Sequence, residues 1–312
     1  MNHVDVREIS AQNISDIEAH ALSMRRSIVR MIAAAGSGHP GGSLGQADIF
    51  ATLYFGLIGD EPILKFSRNP MNLLDLTRDI LVQSNGHTVP VRYAVFRELG
   101  LIDDKELLTL RKFGSRLQGH PERATFPELE TTSGPLGEGL SQAAGMAYAF
   151  KNFAKNLSSI ESSEQLRKVF VTLGDGELDE GQNWEAIMFA AKNKLANLIA
   201  IVDFNQVQLS GKIREIMPLE PLAGKFAAFG FEVFSCDGNS VSELLDIFAK
   251  ILSVESMKNG KPKVLIAKTK MGAGIPSIEN DYRWHGKAPS LEIAEKWLAE
   301  LDITFAKKDH DE

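Results

Sequence analysis

The sequence has little cysteine and no long apolar run. A single cysteine, Cys236, stands among 312 residues, which excludes an internal disulfide and a cysteine-rich zinc site. No apolar stretch approaches the roughly 20 residues that a membrane-spanning helix needs. The first ten residues carry acidic side chains and lack the apolar core of a secretory signal. These absences predict a protein of the reducing cytoplasm.

The sequence also lacks a basic block. Lysine and arginine number 34 against 41 aspartates and glutamates, so the formal net charge is −7. An acidic chain without a basic patch is not expected to bind nucleic acid non-specifically. A small phosphorylated ligand stays possible, because it needs only a few local donors. The hydrophobic fraction of 44% and charged fraction of 24% are typical of a globular protein.

The first half of the chain predicts helices separated by irregular segments. Apolar residues recur at three- and four-residue spacing over 15–35, and Ser15 with Glu18 has the spacing of a capping box at the start of a helix. The glycine-rich stretch Gly36–Gly45 predicts a loop. Further predicted elements are helices over 46–56, 90–99 and 141–153, a strand over 80–83, a long irregular segment over 114–139 and a polar surface excursion over 156–165. Irregular segments as long as 114–139 are usually functional.

The second half alternates between predicted strands and helices. The predicted strands cover 169–173, 198–203, 231–235 and 263–268, and the predicted helices cover 182–194, 219–229 and 241–257. Continuously apolar strands in this alternation indicate a parallel sheet with helices on both faces. We therefore predict an α/β domain over residues 1–290, followed by a C-terminal helix and charged tail over 291–312.

Polar side chains follow two neighbouring predicted strands. Asp175 lies between two glycines after the first strand, and Asn205 follows the next strand along the chain. In parallel sheets ligands bind beyond the carboxyl ends of the strands. The two side chains supply hard oxygen ligands that suit Mg²⁺ or Ca²⁺ beside a diphosphate. A tight turn and an Asx turn would explain the same residues without a ligand.

Four of the seven histidines stand in glycine- or proline-rich loops. They are His39, His87, His120 and His285. A single loop histidine is most often a solvated surface group, but four in the same kind of context favour a site. Imidazoles there would bind hydroxyl or phosphate groups and move protons near neutral pH. The remaining histidines, at positions 3, 20 and 310, look incidental.

With these motifs the chain resembles the N-terminal half of transketolase, the diphosphate-binding domain of a thiamine diphosphate enzyme. The similar segments are GSGHPGGSLGQADI (36–49), SNGH (84–87), GHPE (119–122), TTSGPLGEGLSQAAGMA (131–147), GDGELDEGQNWEA (174–186), LIAIVDFNQVQLSG (198–211) and WHGKAP (284–289). They occur in the family's order and cover most of the chain. Gly-Asp-Gly followed by a later asparagine fits several subfamilies, whereas the four histidine motifs together are more specific to transketolases.

The resemblance implies thiamine diphosphate as cofactor and Mg²⁺ or Ca²⁺ as metal. It assigns the metal to the side chains of Asp175 and Asn205 and to the backbone carbonyl of Val207. The implied cofactor-binding residues are His87, Gly134, Pro135, Leu136, Gly176, Asn205 and His285. The implied catalytic residues are His39, His120, His285 and Glu180. Glu180 and Glu185 match a carboxylate network at a subunit interface, although the helix dipole alone also favours acids in a first turn.

The sequence departs from the family's pattern at three places. One extra residue lies between GHPE and GPLG, Phe204 stands where other members carry a polar residue, and the polar stretch 156–165 is longer than in compact half-chains. None of these changes removes a matched ligand. They leave the substrate-side details open.

The resemblance also implies a partner. The glutamate that contacts the aminopyrimidine in this family belongs to a second domain, which the present sequence does not contain. We therefore expect one half of a split enzyme that transfers a two-carbon ketol unit from a ketose phosphate to an aldose phosphate. The partner would be a C-terminal subunit carrying the pyrimidine-binding domain. Two copies of each chain would form a heterotetramer, with self-association through the region Glu180–Ala191.

Other functions stay open on the sequence alone. The same cofactor serves 1-deoxyxylulose-phosphate synthases and 2-oxo acid dehydrogenases, and a ketol unit can also pass to an acceptor that is not a sugar. A cofactor-binding module without activity is a further alternative. The intact Asp175, Asn205 and four loop histidines favour a transketolase-type enzyme.

Overall fold

Helices cover both faces of a parallel sheet in this chain, as the alternating pattern predicts. A computed structural model describes residues 11–68, 78–154 and 167–311. The strands are β1 (Leu57–Ile58), β2 (Glu61–Pro62), β3 (Ile80–Gln83), β4 (Val169–Gly174), β5 (Leu198–Asp203), β6 (Val207–Gln208), β7 (Gly211–Lys212), β8 (Glu232–Asp237) and β9 (Lys263–Lys268). Five of them form the main sheet in the order β3-β4-β5-β9-β8, all parallel. The short strands pair as antiparallel hairpins, β1 with β2 and β6 with β7.

Twelve α-helices are present among the described residues. They are α1 (Ala11–Ala35), α2 (Pro40–Gly45), α3 (Ala47–Phe55), α4 (Pro90–Glu98), α5 (Asp104–Leu107), α6 (Gly139–Ala154), α7 (Gly181–Lys192), α8 (Ile213–Ile216), α9 (Leu222–Ala228), α10 (Val241–Ile251), α11 (Val254–Lys258) and α12 (Leu291–Asp311). In the part of the chain that the structure describes, none of the helices has the length and apolarity to cross a membrane.

The sheet separates two apolar layers, because successive strand side chains point to opposite faces. Phe170 and Ile199 belong to the layer that also contains α1, α3, α4 and α10. Val171 and Ala200 belong to the layer that contains α6, α7 and α9. All six residues of β5 are buried, which explains why the strands read as continuous apolar runs. The predicted α/β class, with helices on both faces of a parallel sheet, is confirmed.

The predicted start of the first helix is wrong. The helix begins at Ala11, so that Ser15 and Glu18 lie inside it and form no capping box. The Gln12 amide donates to the Asp16 carboxylate at 2.7 Å, one turn along the helix. This contact supports a turn ahead of Ser15.

The predicted loop over 36–45 is also partly wrong, because Pro40–Gly45 is a short buried helix. Its glycines serve close packing. A Cβ atom on Gly45 would lie 2.8 Å from the Lys270 carbonyl oxygen, and one on Gly41 would lie 2.6 Å from the Met271 side chain. The Gly272 amide donates to the Gly41 carbonyl at 2.8 Å. The many glycines in this helix are therefore explained by the close packing of its backbone against the segment that contains Lys270 and Met271.

Two further boundaries differ in the second half of the chain. The predicted helix 241–257 is divided into α10 and α11, because Ser253 caps a new helix by accepting from the Ser256 amide at 3.2 Å. The C-terminal helix extends past 301 to Asp311. It packs against α1 and buries Trp297 and Leu301. The domain boundary at 290 stays a prediction, and the predicted excursion 156–165 lies outside the described residues.

Candidate active site

Two carboxylates and one amide meet beyond the carboxyl ends of β4 and β5. Asp175 follows β4, and its Oδ1 and Oδ2 accept from the backbone amides of Gly176 at 2.8 Å and Gln206 at 2.5 Å. Asp203 ends β5, and its backbone carbonyl accepts from the Asp175 amide at 3.2 Å. The sheet register aligns Gly174 with Asp203, which brings the two strand ends together.

Asp203 is the centre of a buried hydrogen-bond network. Its carboxylate accepts from the side chains of Gln46 at 3.0 Å, Asn205 at 3.1 Å and Thr269. Because the Asn205 Nδ2 donates to Asp203, the Asn205 Oδ1 points away from Asp203. This Oδ1 accepts from the Val207 amide at 2.9 Å and has a second lone pair for a ligand. Gln46 and Asp203 were not singled out from the sequence. The network fixes which atom of Asn205 is available as an oxygen ligand.

The pKa values of these two carboxyls are raised. Burial raises the pKa of Asp203 to about 6. Burial, and then the charge of Asp203, raise the pKa of Asp175 well above its usual value, while backbone amides lower it. The charged side chain that acts on the pKa of Asp175 is thus another acid. Two neighbouring buried carboxylates are an arrangement that a divalent ion would stabilise.

The loop after β5 adds a cavity next to this network. Gln206 has a φ of 61°, in the left-handed region that few residues other than glycine adopt. This strained backbone turns its amide toward Asp175 and leads into the β6–β7 hairpin, which begins at Val207. A cavity of about 330 Å³ lies here, lined by Asn205, Gln206, Val207, Lys212, Arg214, Thr269 and Asn280.

Three of the four loop histidines form a cluster. The ring centroids of His39 and His87 are 5.0 Å apart, those of His87 and His285 are 5.4 Å apart, and those of His39 and His285 are 5.9 Å apart. The histidines come from segments distant in sequence, before α2, after β3 and after a turn at Tyr282–Trp284. Gly286 allows the approach, since a Cβ atom there would lie 3.3 Å from the His39 ring.

The clustered imidazoles are neutral at physiological pH. Burial lowers the pKa of His39 to about 4, with further lowering by His285, Arg111 and His120. Burial lowers the pKa of His87 well below its usual value and also lowers that of His285. The Nδ1 atoms of His39 and His285 are buried and have no hydrogen-bond partner among the described residues. Neutral imidazoles with open nitrogens are suited to accept or donate a proton.

His120 lies at the exposed side of the same site. Burial and then the charge of Arg111 lower its pKa. Gly134 faces it, because a Cβ atom on that glycine would lie 3.9 Å from the His120 ring. Arg111, which also acts on His39, was not singled out from the sequence. Its signal was a positive charge in the irregular segment that leads to His120.

The segment Gly134–Leu136 forms an open wall of the site. Pro135 and Leu136 are exposed, and the Leu136 carbonyl accepts from the Gln182 side chain at 3.2 Å. Gly176 lies across from the β6–β7 hairpin, where a Cβ atom would come 3.2 Å from the Gln208 side chain. Gly176 thus permits the close approach of the Gln208 side chain.

The two predicted interface acids lie apart from the histidine cluster. Glu180 is the exposed N-cap residue of α7, and Gly137 approaches it closely. Glu185 is exposed one turn further along α7. Glu177, in the preceding turn, is buried, and burial raises its pKa. Sequence reasoning missed Glu177, because an acid in a turn is usually solvated.

The described residues fit a diphosphate with a divalent cation. Asp175, Asn205 and the Val207 carbonyl offer one carboxylate, one amide oxygen and one backbone oxygen, and the described residues hold no group of three or more His, Cys, Asp or Glu that would bind a metal alone. Mg²⁺ requires about six oxygens, so phosphate and water would complete the set. The buried Asn85 Nδ2 also lacks a partner among the described residues. It is available to a ligand beyond β3.

Comparisons with known proteins identify a family and a fold for this chain. Residues 17–299 match the family described as transketolase, thiamine diphosphate binding domain. The chain is 39% identical to one subunit of the apulose-4-phosphate transketolase of Actinobacillus succinogenes, over 92% of this chain and 96% of that protein. It is 35% identical to the 6-deoxy-6-sulfo-D-fructose transketolase subunit SqwG of a Clostridium species, over 94% and 98%. It superposes on the crystal structure of Campylobacter jejuni transketolase with a TM-score of 0.78 and 33% identity, covering 92% of this chain and 43% of that one.

Proposed function

The chain belongs to the transketolase family, and from this premise we propose that it is the diphosphate-binding subunit of a split transketolase. The observation that carries the proposal is that Asp175, bound to the amide next to Asn205, and the histidine cluster both lie beyond the strand ends at one edge of the sheet. The extent of the similarity supports a split enzyme, because the chain spans nearly all of two relatives named as subunits and less than half of a single-chain transketolase.

Because the family is described as thiamine diphosphate binding, we assign that cofactor to this edge of the sheet. We assign its diphosphate to a divalent ion, Mg²⁺ or Ca²⁺, held by Asp175, Asn205 and the Val207 carbonyl. Gly176 and Gly134–Leu136 would lie along it, with His87 and His285 as hydrogen-bonding partners. When bound, thiamine diphosphate supplies the nucleophilic carbon and the electron sink for cleavage of a ketose.

The histidines hold and move protons in this proposal. We assign proton transfer with a sugar hydroxyl to His39 and His285, because burial lowers the pKa of each and keeps the imidazole neutral. The exposed His120 is placed to hydrogen-bond the sugar as it enters. Glu180 would contribute to catalysis as part of a carboxylate network at the contact between subunits. The half-buried cluster also limits the access of water to the reacting atoms.

The proposed reaction passes a two-carbon ketol unit from a ketose phosphate to an aldose phosphate. Relatives of this chain are named for apulose 4-phosphate and for 6-deoxy-6-sulfo-D-fructose, so related subunits serve different sugars. Sugar phosphates of the pentose phosphate pathway are the first substrates to test. The single, buried Cys236 supports the cytoplasm as the compartment.

The proposed assembly has two copies of this chain and two of a C-terminal subunit with the pyrimidine-binding domain. An apolar surface on α6 and α7 supports contact between copies, since Met188 is 57% exposed and Phe189 packs on Tyr148 with ring centroids 5.5 Å apart. Ile187, in contrast, is fully buried against the sheet. Only part of the apolar surface in the predicted contact region Glu180–Ala191 is therefore available to another copy.

The test is reconstitution with a C-terminal subunit that carries the pyrimidine-binding domain. We expect turnover of xylulose 5-phosphate with ribose 5-phosphate from the pair and none from this chain alone. Light scattering of the pair should give the mass of a heterotetramer. Turnover by the purified single chain, free of host transketolase, would contradict the split-enzyme proposal.

A further inference from the structure

The buried carboxylate of Glu177 accepts hydrogen bonds from three segments: the turn after β3, the segment before α6 and the end of β4, the strand that precedes it. Its Oε1 accepts from the Ser84 hydroxyl and from the Gly137 amide at 2.8 Å. Its Oε2 accepts from the Gly174 amide at 3.0 Å. Only 2% of the residue is exposed. All three donors belong to segments that lead into the candidate site.

Each donor lies at the base of a loop with an assigned role. Ser84 begins the turn that carries His87, and Gly174 directly precedes Asp175. Gly137 directly follows the segment Gly134–Leu136. One carboxylate thus fixes the separation between the predicted metal ligand, a cofactor-binding histidine and the wall that would lie along the diphosphate.

Close packing around this carboxylate leaves little alternative placement for the loops. The Ser84 hydroxyl also accepts from the Gly139 amide at 3.0 Å, and a Cβ atom on Gly139 would clash with the Ser84 side chain. Gly137 has a φ of +88°, and a Cβ atom there would lie 2.7 Å from the Glu180 Cβ. The loops are held where side chains larger than glycine would not fit.

Stability alone is a weak reason to bury a carboxylate. Removing a charge from water costs several kcal/mol, and well-packed apolar residues often replace buried charges without loss. The specific contribution of Glu177 is geometric, because three donors from three segments must reach two oxygens at once. Rigid support of this kind keeps ligating atoms at the spacing that binding requires.

Resting on the proposed function, we propose that Glu177 is a positioning residue that sets the spacing of the three cofactor-binding loops through Ser84, Gly137 and Gly174. It does not touch the cofactor itself. Its contribution is therefore expected in the affinity for thiamine diphosphate with Mg²⁺, which can be measured on the reconstituted pair of subunits without an activity assay.

The first variant is Glu177→Gln, which keeps the size of the side chain. Its amide nitrogen cannot accept, so at least one of the three donors loses its partner. Calorimetric titration of the variant, paired with the C-terminal subunit, with thiamine diphosphate and Mg²⁺ should show an affinity about tenfold lower than wild type, as expected for the loss of one hydrogen bond to a charged group. The matched control is Asp79→Asn at the opposite edge of the sheet, where a buried carboxylate accepts from two backbone amides. We expect it to lower the melting temperature and leave cofactor affinity unchanged.

The second variant, Ser84→Ala, removes one contact and keeps Glu177. We expect a loss of about threefold in affinity, a value typical of one neutral hydrogen bond. In the double variant the losses should not multiply, because the two residues share a hydrogen bond. If Glu177→Gln does not fold, Ser84→Ala still decides the question.

The outcomes separate this inference from the proposed function. Wild-type affinity in both variants would overturn the positioning role alone. An equal loss of affinity in Asp79→Asn would also overturn it, because any loss of stability would then have the same effect. Failure of the reconstituted pair of subunits to take up thiamine diphosphate with Mg²⁺ would contradict the proposed function itself.

Discussion

The two ends of strand β4 each have a buried carboxylate, and the two differ in what surrounds them. At the amino end Asp79 accepts from the backbone amides of Lys65 and Lys168, both at 3.0 Å, and the Lys168 ammonium lies 3.4 Å from it. At the carboxyl end Asp175 also accepts from two backbone amides, but its charged neighbour is Asp203. Burial raises the pKa of both carboxyls; Lys168 lowers that of Asp79, whereas Asp203 raises that of Asp175 further.

The comparison separates a buried carboxylate with a lysine beside it from one with a second acid beside it. Two backbone hydrogen bonds are common to both, so the difference lies in the sign of the neighbouring charge. A lysine partner completes the amino-end site within the protein itself. The carboxyl-end site places two acids together, which a fold would rarely keep without a cation from outside.

The largest expected effect breaks the carboxyl-end site. Asp175→Ala and Asn205→Ala each remove a proposed metal ligand, and we expect Mg²⁺-dependent binding of thiamine diphosphate to fall more than about a hundredfold, because the diphosphate charge is then no longer neutralised. Calorimetry with Mg²⁺ present measures the affinity, and circular dichroism checks that the fold is retained. Parent-like affinity in either variant would remove that residue from the metal site.

The histidine variants come next in size and affect turnover. His39→Ala, His120→Ala and His285→Ala should each lower the turnover of the reconstituted enzyme by roughly 10²–10⁴-fold, the usual range for a lost proton-transfer or oxyanion contact. His87→Ala should weaken cofactor binding more than turnover. Steady-state kinetics at saturating thiamine diphosphate separates these effects.

His20→Ala is the control for the histidine series. His20 lies 3.0 Å from Glu98 and stacks on Phe55 at 3.9 Å between ring centroids, so it is structural and not incidental as its sequence context indicated. We expect lower stability and unchanged turnover. A similar small effect on turnover from His20→Ala and His120→Ala would contradict the role given to the loop histidines.

A smaller effect is expected when the carboxylates of Asp79 and Asp175 are compared by their contributions to the free energy of unfolding. Asp79→Ala leaves two buried amides and Lys168 without a partner and should lower the free energy of unfolding by about 2–4 kcal/mol. Asp175→Ala also loses two amide partners, but it relieves the repulsion from Asp203, so the loss should stay near about 1 kcal/mol. Urea unfolding at a slightly alkaline pH without divalent ions compares them. Equal losses would mean that the charge environments do not matter.

The smallest predicted effect concerns pH. The pKa of His39 falls to about 4 in the folded chain, so its contribution to stability is complete above the unfolded value near 6.5 and is lost as pH falls toward 4. Asp203, with a pKa raised to about 6, contributes with the opposite sign. The variant His39→Asn removes the contribution of His39 and keeps that of Asp203. Between about pH 7.5 and 5 the wild type should lose about 1 kcal/mol more unfolding free energy than His39→Asn, as followed by urea unfolding.

The sequence predicts the sheet well because its strands are buried on both faces. The strand Lys263–Lys268 has the predicted bounds, and Asp175 follows β4 and accepts from the amide of Gln206, the residue after Asn205. A buried parallel strand leaves a continuous apolar run that few other structures produce. The local signal and the tertiary role agree there.

Prediction fails where tertiary packing overrides local composition. Pro40–Gly45 contains the residues of a loop, yet it is a buried helix because Lys270 and Met271 leave no room for larger side chains. Glu177 and Asp203 read as ordinary acids, since their significance arises from donors far away in sequence, such as Ser84 and Gln46. The spacing of residues along the chain does not predict such long-range contacts. The metal and cofactor assignments stay predictions until the experiments above are made.

The strand order has a consequence for synthesis of the chain. β9 is the last strand to emerge, yet it lies inside the sheet between β5 and β8. At a ribosomal rate of roughly 5–20 residues per second, the edge of β5 that pairs with β9 stays unpaired for several seconds. Unpaired strand edges can pair with other chains. We therefore expect the nascent chain, or chain refolding after dilution from denaturant, to aggregate at high protein concentration and to benefit from chaperones during that interval.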